Sequence, residues 1–401
     1  MTENHWIGTE LGQVVTLNYG WSLPESKREP GDVPVYGSNG VVGSHSTEFV
    51  KSGGVIVGRK GSAGSVHLSL RPFCPIDTTF YVAPHDTDLD LSFLYYLLRH
   101  IDLKRILGDV AVPGLNRDAA YKERVRYPKH RDEQQAIAAV LGKLQAAVAA
   151  QQAIIDRIAE LKAALMAKLF TEGTRGEPQQ ETEIGPVPAQ QWKIVPLGDV
   201  GRIGNGSTPK RDRPEYWDGG TIPWLTSAKI HETTINEADE FVTEVAKSEC
   251  HLPLVKAGSL LVAITGQGKT LGNAALVRFD TCISQHLAYI GLNEPQSLLA
   301  EYVLFYLQTQ YGRFRQVSQA GGTTKGALTC AFLRSYPLPV PHIAAQQEIA
   351  DAFTTIERAR EAAERRKGLC AELFAAMLDE LMTGRIRVNG LDLAECHASA
   401  P

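Results

Sequence analysis

The chain has 401 residues, 43% of them hydrophobic and 21% charged, which is typical of a globular protein with two or three domains. No apolar run is expected to span a bilayer, and the six scattered cysteines lack a Cys-x-x-Cys pair. We therefore expect a cytoplasmic protein without a metal cluster or disulfide framework. The net charge of −4 excludes the strongly basic balance of an isolated DNA-binding domain, so contact with nucleic acid would need clustered cations or a second subunit.

Residues 1–128 predict a mixed α/β domain with several short strands. One strand begins at Val33 and runs into a turn near Asn39, and an apolar strand within Gly53–Gly61 ends in a basic glycine loop. The segment Pro75–Val82 is rich in β-branched and aromatic residues, which favours a further strand. Apolar residues at helical spacing predict a helix over Leu91–Leu107.

Residues 129–172 predict one long helix. Apolar residues recur at heptad spacing on one row, a neighbouring row lies four residues on, and together they form a wide stripe that can pack on another helix. We assign to helix packing or partner binding Gln134, Ile137, Leu141, Leu144, Ile155, Ile158 and Leu165. Residues 173–190 are polar and interrupted by glycine and proline, which predicts a linker.

Residues 191–341 repeat the order of the first domain. A strand within Gly258–Thr265 precedes a glycine-rich loop with a cation, Cys282–Ile290 predicts the matching strand, and Leu299–Phe314 the matching helix. Residues 342–384 predict a second long helix with a weaker stripe, followed by a tail at 385–401. Its packing or partner-binding residues are Gln346, Ile349, Phe353, Ile356 and Phe374.

The two halves are copies of one unit. Gln134 corresponds to Gln346 and Leu169 to Leu381, an offset of 212 residues at both ends of the helices. We expect an α+β fold in which two tandem domains alternate with two long helices. The helices are expected to pair as an antiparallel coiled coil about a pseudo-two-fold axis. About 38 residues at ~1.5 Å each would give a rod of roughly 55–60 Å, a stiff spacer between two similar surfaces.

A nucleotide-binding site is one alternative. Ala263–Thr270 follows an apolar strand and ends in Gly-Lys-Thr, as a phosphate-binding P-loop does. The first glycine of that motif is absent, since Ala263 holds its place. A turn and a strand, rather than a helix, are predicted after Thr270. An ATPase around Lys269-Thr270 therefore remains an alternative, as does a coiled-coil adaptor whose globular ends bind protein.

The glycine loops of both halves favour contact with DNA. Glycine lets the backbone approach phosphates, while Arg59, Lys60 and Lys269 can donate to phosphate or guanine and Gln267 can pair with adenine. The competing interpretation is a surface turn with solvated cations. His45, His67 and His286 lack metal-ligand spacing, and neither a methyltransferase motif nor a nuclease-like cluster is evident.

With these motifs in this order, the whole chain resembles the specificity subunit of Type I restriction–modification systems. The second half carries Gly206-Ser207-Thr208-Pro209, Trp217, Ile222-Pro223-Trp224, Ala263 to Thr270, Ser284-Gln285-His286-Leu287, Thr324 to Thr329 and Leu338-Pro339-Val340-Pro341. The first half carries the comparable stretches Val35 to Asn39, Gly58 to Ser65 and Pro75 to Phe80. Two departures are Ala345-Gln346-Gln347, where the family usually has Glu-Gln, and Ser284-Gln285, where Asn-Gln is common.

The resemblance implies two target-recognition domains, residues 1–128 and 191–341, each reading one half of a split asymmetric DNA site. The paired helices would set the gap and dock two methyltransferase subunits, which would hold S-adenosylmethionine. A motor–nuclease subunit would join in systems that cleave DNA. The chain itself would hold no cofactor or metal and would not be an enzyme.

On this reading, base and phosphate contacts come from five loops, at residues 36–46, 58–65, 205–213, 265–273 and 319–326. The candidate DNA-binding residues are Asn39, Arg59, Lys60, Ser62, Thr208, Lys210, Arg211, Arg213, Gln267, Lys269, Thr270, Gln285, Thr323, Thr324 and Lys325. The spacer is residues 132–171 packed on 344–383.

Overall fold

A computed structural model of the chain describes residues 5–107, 114–189, 192–266, 269–320 and 327–388. Its contacts divide the chain into two compact units. Unit 1 is Met1–Ala153 with Glu364–Pro401, and unit 2 is Ile154–Ala363. Each unit therefore contains one α/β domain together with part of both long helices.

Unit 1 begins with short strands and a single well-formed helix. Its strands are β1 (Trp6–Glu10), β2 (Asn18–Tyr19), β3 (Val33–Gly37), β4 (Gly40–His45), β5 (Gly54–Gly58), β6 (Val66–Ser69), β7 (Cys74–Pro75), β8 (Thr79–Val82) and β9 (Arg124–Pro128). Its helices are α1 (Leu91–His100), α2 (Arg117–Tyr121) and the long α3 (Arg131–Glu172), which continues into unit 2. Short 3-10 helices cover Leu11–Gln13, Glu25–Lys27, Pro84–Asp86 and Leu103–Ile106.

The main core of unit 1 lies between a sheet and the helices. The strand order is β2-β8-β5-β6 in the larger sheet and β4-β3-β7 in the smaller one, while β1 pairs with β9. Strand β5 is buried along its whole length, and α1 packs against one face of it. The Asp90 side chain caps α1 by accepting hydrogen bonds from the Ser92 and Phe93 amides, at 2.9 and 3.0 Å.

Unit 2 repeats this plan with additional elements. Its strands are β10 (Gln179–Thr182), β11 (Gly185–Pro188), β12 (Lys193–Pro196), β13 (Gly201–Asn205), β14 (Ile222–Leu225), β15 (Thr234–Ile235), β16 (Glu240–Val242), β17 (Leu260–Ala263), β18 (Ala274–Val277), β19 (Cys282–Ile283), β20 (Leu287–Leu292) and β21 (Pro337–Val340). Its helices are α4 (Leu197–Val200), α5 (Glu244–Glu249), α6 (Ala300–Thr309), α7 (Tyr311–Ala320), α8 (Cys330–Ser335) and the long α9 (Ile343–Met382), which continues into unit 1. Short 3-10 helices cover Pro214–Tyr216 and Ser227–His231.

The sheets of unit 2 follow those of unit 1. The larger has the order β13-β20-β17-β18-β15, the smaller has β16-β14-β19, and β12 pairs with β21. In both units the smaller sheet contains one parallel pair, β3 with β7 and β14 with β19. The same topology in both halves confirms the predicted duplication.

The long helices run antiparallel within each unit. In unit 1, Lys367 of α9 donates to Gln152 at 2.5 Å, and Arg387, just beyond the end of α9, pairs with Glu133 at 2.7 Å. Residue numbers therefore rise along α9 as those of its partners fall along α3. In unit 2, Lys162 pairs with Glu357, and the Phe170 and Phe353 rings stack with centroids 6.2 Å apart. The predicted antiparallel pairing is therefore correct.

One buried glutamine in each unit fixes the start of its long helix to the domain. Gln134 accepts from the Asp90 amide at 2.8 Å and donates to the Pro128 carbonyl at 2.9 Å. Gln346 accepts from the Leu299 amide at 2.9 Å and donates to the Pro341 carbonyl at 2.9 Å. Both amides therefore perform the same structural role within their own unit.

Five local expectations differ from the structure. The predicted strand Pro75–Val82 is broken, because β7 belongs to the smaller sheet and β8 to the larger. The predicted helix Leu91–Leu107 ends at His100 as α1 and is followed by a 3-10 helix at Leu103–Ile106. Residues 173–190, expected as a linker, contain the hairpin β10–β11. The predicted strand Cys282–Ile290 is broken, because β19 pairs with β14 while β20 pairs with β13 and β17 in the other sheet. The predicted helix Leu299–Phe314 is two helices, α6 and α7.

Helix α3 also differs from the expectation that no segment could span a bilayer. By length and composition alone, it is the one described helix that could do so. Its ends instead lie in protein cores, with Ile137 and Leu141 buried in unit 1 and Phe170 buried in unit 2.

Candidate nucleic-acid interface

In unit 1, a change of sheet brings loops together at one end of the domain. Strand β7 belongs to the smaller sheet and β8 to the larger, so the connection Ile76–Thr78 crosses between them. The Arg59 and Lys60 amides both donate to the Thr78 carbonyl, at 2.8 and 3.1 Å. A Cβ on Gly58 would lie 2.3 Å from the Ser62 carbonyl oxygen, so the tight turn after β5 needs glycine there.

Unit 2 has the same backbone frame with other side chains. The Ile264 amide donates to the His286 carbonyl at 3.0 Å, as Arg59 does to Thr78. The Leu328 amide donates to the Ile264 carbonyl at 2.8 Å, just as Leu115 donates to Arg59 at 2.8 Å. The two units therefore present different residues from equivalent positions.

In unit 1, the exposed side chains at this end are polar, basic and aromatic. Asn39, Lys60 and Ser62 are exposed. The Arg59 guanidinium donates twice to the Asp77 carbonyl, at 3.1 and 2.6 Å, and lies 5.2 Å from the centroid of the Tyr19 ring. The predicted residues Arg59, Lys60 and Ser62 lie on one turn, and Tyr19 joins them from β2.

In unit 2, a chain of four polar side chains connects three loops. The Thr208 hydroxyl donates to Gln285 Oε1, Gln285 Nε2 lies 3.3 Å from His286 Nε2, and His286 Nδ1 lies 2.5 Å from the Thr265 hydroxyl. An amide held at both ends keeps one donor and one acceptor site for a ligand, the pair that adenine requires. Thr208 and Gln285 were predicted from the sequence, whereas Thr265 and His286 were not.

In the basic loop of unit 2, residues 205–213, both arginines are paired with carboxylates. Arg211 pairs with Glu240 and lies 3.9 Å from the Trp217 ring centroid. Arg213 pairs with Glu215, whose hydrogen bond and charge raise the pKa of the arginine. Both arginines are exposed, but a carboxylate neutralises each.

The remaining predicted contacts of unit 2 are spread over its loops. Lys210 and Lys269 are exposed, and Thr270 is half-buried. The carbonyl of Lys269 accepts from the Tyr311 hydroxyl at 3.0 Å, which fixes the backbone while the ammonium remains at the surface. Four predicted residues lie outside the described part of the chain: Gln267, Thr323, Thr324 and Lys325.

The helix residues assigned to packing or partner binding divide into two groups. Fully buried in the core of their own unit are Gln134, Ile137, Leu141, Gln346, Ile349 and Phe353. Half-buried are Leu144, Ile155, Ile158, Leu165, Ile356 and Phe374. The first group packs the helices onto the domains and is inaccessible to a partner.

Sequence reasoning missed Thr265, His286, Tyr19 and Arg117. Thr265 and His286 are 21 residues apart, and only the antiparallel pairing of β17 with β20 brings them together. The two apolar strands could have indicated this contact if the break at Ser284, between β19 and β20, had been recognised in the sequence. Tyr19 and Arg117 carry no linear motif that joins them.

Neither nucleotide nor metal chemistry is supported by the described residues. Strands β17 and β18 form an antiparallel hairpin, and Thr270 leads into β18 rather than into a helix, so the P-loop interpretation lacks its anion-binding helix N-terminus. Within the described ranges, no group of three His, Cys, Asp or Glu side chains could hold a metal ion. Burial raises the pKa of the Cys282 thiol to about 11, which makes it a poor nucleophile.

Comparison with known proteins gives consistent matches. The family model described as "Type I restriction modification DNA specificity domain" matches residues 4–160 and 189–368. The specificity subunit of the type I restriction enzyme EcoR124I/EcoR124II of Escherichia coli is 25% identical over 41% of this chain and 41% of its own length. That of MjaIX from Methanocaldococcus jannaschii is 27% identical over 49% of this chain and 45% of its own length.

A solved structure agrees over the full fold. The S subunit of a type I restriction–modification system from M. genitalium has a TM-score of 0.67 at 15% identity, covering 95% of this chain and 97% of that one. The sequence alignments span less than half of the two curated relatives, whereas the family model matches most of this chain in two copies. The chain therefore belongs to the family of Type I restriction–modification DNA specificity proteins.

Proposed function

We propose that this protein is the DNA-reading subunit of a Type I restriction–modification complex. Each unit reads one half of a bipartite asymmetric site, and the chain carries out no catalysis of its own. The observation that carries this proposal is the shared backbone frame with unlike side chains, Arg59 and Lys60 in unit 1 against Ile264 and Thr265 in unit 2. Equivalent frames with different surfaces suit two different half-sites.

Base-specific contact in the second half-site centres on Gln285. Its exposed amide is held between Thr208 and His286, so one donor and one acceptor remain for a base edge. Lys210 and Lys269 supply cations for phosphates on the same unit. Because the chain has a net charge of −4, partner subunits contribute further phosphate attraction.

The partners in this proposal are two methyltransferase subunits that hold S-adenosylmethionine, with motor–nuclease subunits where DNA is cleaved. Leu161 on α3 and Leu373 on α9 occupy equivalent positions, 212 residues apart. They are 56% and 51% exposed, so an apolar side chain is available to a partner at the same position of both helices. Leu369 on α9 is also exposed, at 65%, but Arg157 holds its equivalent position. The pair Leu161 and Leu373, one in each unit, suits the docking of two copies of one partner.

The function is tested by the methylome of the host. We expect methylation of a split, asymmetric site to be present with the gene and absent without it. A chain carrying Gln285→Ala should change one half of that site and leave the other intact. Loss of both halves together, in a chain that still folds, would contradict the division of reading between the units.

Docking is tested by native mass spectrometry of the purified complex. Leu161→Glu and Leu373→Glu should each remove one methyltransferase copy, and the double variant both. Leu70→Glu is the matched control, since Leu70 is 69% exposed on the domain of unit 1 rather than on a helix. If all three single variants kept two copies, the assignment of the leucines to docking would be wrong.

A further inference from the structure

Two arginines of unit 1 flank one exposed aromatic ring. Tyr19 is 49% exposed. The guanidinium carbons of Arg59 and Arg117 lie 5.2 and 5.1 Å from its ring centroid. Arg59 also lies 5.9 Å from the Phe80 ring, and Arg117 lies 6.0 Å from the Tyr121 ring. The aromatic rings hold both half-buried cations in place.

Neither arginine has an anionic partner among the described residues. The two hydrogen bonds from Arg59 go to a neutral carbonyl, that of Asp77. Arg117 Nε is buried without a hydrogen-bond partner within the same part of the chain. Arg105, in contrast, is neutralised by Glu123 in the same unit.

Tyr19, Arg59 and Arg117 lie in the backbone frame of the candidate interface. Lys60, the neighbour of Arg59, pairs with Gly114, which lies three residues before Arg117 at the start of α2. The Asn116 side chain caps that helix by accepting from the Ala119 amide at 3.0 Å. The backbone around both cations is therefore fixed before any ligand binds.

We propose that Tyr19, Arg59 and Arg117 form a binding site for a phosphodiester of the DNA backbone, beside the half-site that unit 1 reads. The inference rests on the proposed function and adds a phosphate contact that only unit 1 provides. At the matching positions of unit 2, Asn205, Ile264 and Cys330 carry no charge. The two guanidinium groups bind the phosphate oxygens, and the Tyr19 ring positions them.

The test uses the full chain in complex with its methyltransferase subunits and a 40-bp duplex of arbitrary sequence, because phosphate contacts do not depend on base sequence. Affinity is measured between about 50 and 200 mM salt. Arg117→Gln and Arg59→Gln should each reduce the slope of log affinity against log salt by about 0.9. Each should also weaken binding about eightfold at 0.1 M salt. Arg105→Gln, which removes the same charge from an ion-paired position, should keep the wild-type slope.

Three outcomes separate the possibilities. Arginine variants that match Arg105→Gln in slope, while the wild-type complex binds the duplex, would overturn this inference and leave the proposed function intact. A wild-type complex that fails to bind the duplex even at the lowest salt would remove the proposed function, and the phosphate site with it. Thermal unfolding checks each variant. If Arg117→Gln does not fold, Arg59→Gln decides the question, because its hydrogen bonds reach only a surface carbonyl.

Discussion

At the scale of single residues, the proposed DNA interface of unit 2 relies on the orientation of an amide rather than on charge. The predicted arginines Arg211 and Arg213 are neutralised by Glu240 and Glu215, whereas the neutral Gln285 is held from both sides. A side chain with a fixed amide discriminates between bases, because the wrong base leaves its donor or acceptor unpaired. His286 is therefore a positioning residue for Gln285.

We predict that His286→Phe relaxes recognition at one base pair of the second half-site. The loss of one well-placed contact should reduce discrimination there by about 1–2 kcal/mol. The methylome should then show a degenerate base at that position and an unchanged first half-site. His231→Ala, which alters another exposed histidine of unit 2, should leave the site unchanged. Altered recognition in the first half-site would argue against this role.

A second prediction at this scale concerns stability. Gln346→Leu nearly conserves volume but leaves the Leu299 amide and the Pro341 carbonyl unpaired in a buried setting. We expect it to lower the free energy of unfolding by about 2–4 kcal/mol. Gln347→Leu, at the adjacent exposed position, should change stability by less than about 0.5 kcal/mol. Urea unfolding of both variants checks the difference, and equal losses would contradict it.

How much of the site could be predicted is clearest from such residues. Arg59 and Lys60 were identified because their chemistry and their glycine-rich surroundings are local in sequence, and Gln285 was identified through the resemblance of Ser284 to Leu287 to the family. Thr265 and His286 become neighbours only through strand pairing. The neutralisation of Arg211 depends on Glu240, which is 29 residues away on another strand. Local patterns report which groups are available, whereas pairing across strands decides which of them are free.

At the scale of elements, the paired helices carry one buried polar cluster in unit 2. Lys162 bonds to Glu357 at 2.5 Å and to Gln308 at 2.8 Å, and Arg360 pairs with the same carboxylate at 3.0 Å. In unit 1, Phe374 holds the position equivalent to Lys162, and Gln145 the position equivalent to Glu357. Both contact Arg99. Helix spacing predicted the apolar stripe but not this cluster, since the sequence does not distinguish a lysine that faces a partner helix from a solvated lysine.

Glu357 makes this pairing sensitive to pH. Burial acts to raise the pKa of its carboxyl, but the hydrogen bond and charge of Lys162, with Arg360, outweigh burial and lower the pKa below 4.5. The folded carboxyl thus has a lower pKa than the unfolded one. Its stabilising contribution is complete above the unfolded pKa and is lost as the pH falls through the folded pKa.

We therefore predict that Lys162→Met destabilises the protein by about 3 kcal/mol at neutral pH, because a buried carboxylate loses its main partner. The deficit should shrink toward pH 4, where the carboxyl of the variant binds a proton and no longer needs a cation. Urea unfolding at both pH values measures it. Arg157→Gln, at an exposed ion pair of the same helix, should cost less than about 1 kcal/mol at either pH. A deficit independent of pH would show that packing, rather than charge, is lost.

At the scale of the whole molecule, α3 and α9 each contribute to both units. Ile137 and Leu381 share the core of unit 1, while Phe170 and Ile349 share that of unit 2. The start of one helix thus always packs with the end of the other. The sequence repeat predicted this arrangement, because two copies of one helix related by a pseudo-two-fold axis pack antiparallel. An insertion in one helix alone would break the register in one of the units.

The spacer role predicts the effect of a matched insertion. Seven residues placed after Ala153 in α3 and seven after Arg365 in α9 enter at facing positions, so they preserve the heptad pattern, the Lys367–Gln152 contact of unit 1 and the Lys162–Glu357 contact of unit 2. Each insertion lengthens its helix by about 10 Å, so the gap between the half-sites should grow by about three base pairs. The methylome of a strain carrying this variant measures the gap directly. Unaltered half-sites at the wild-type spacing would show that the helices do not determine the gap, even if they hold the two units together.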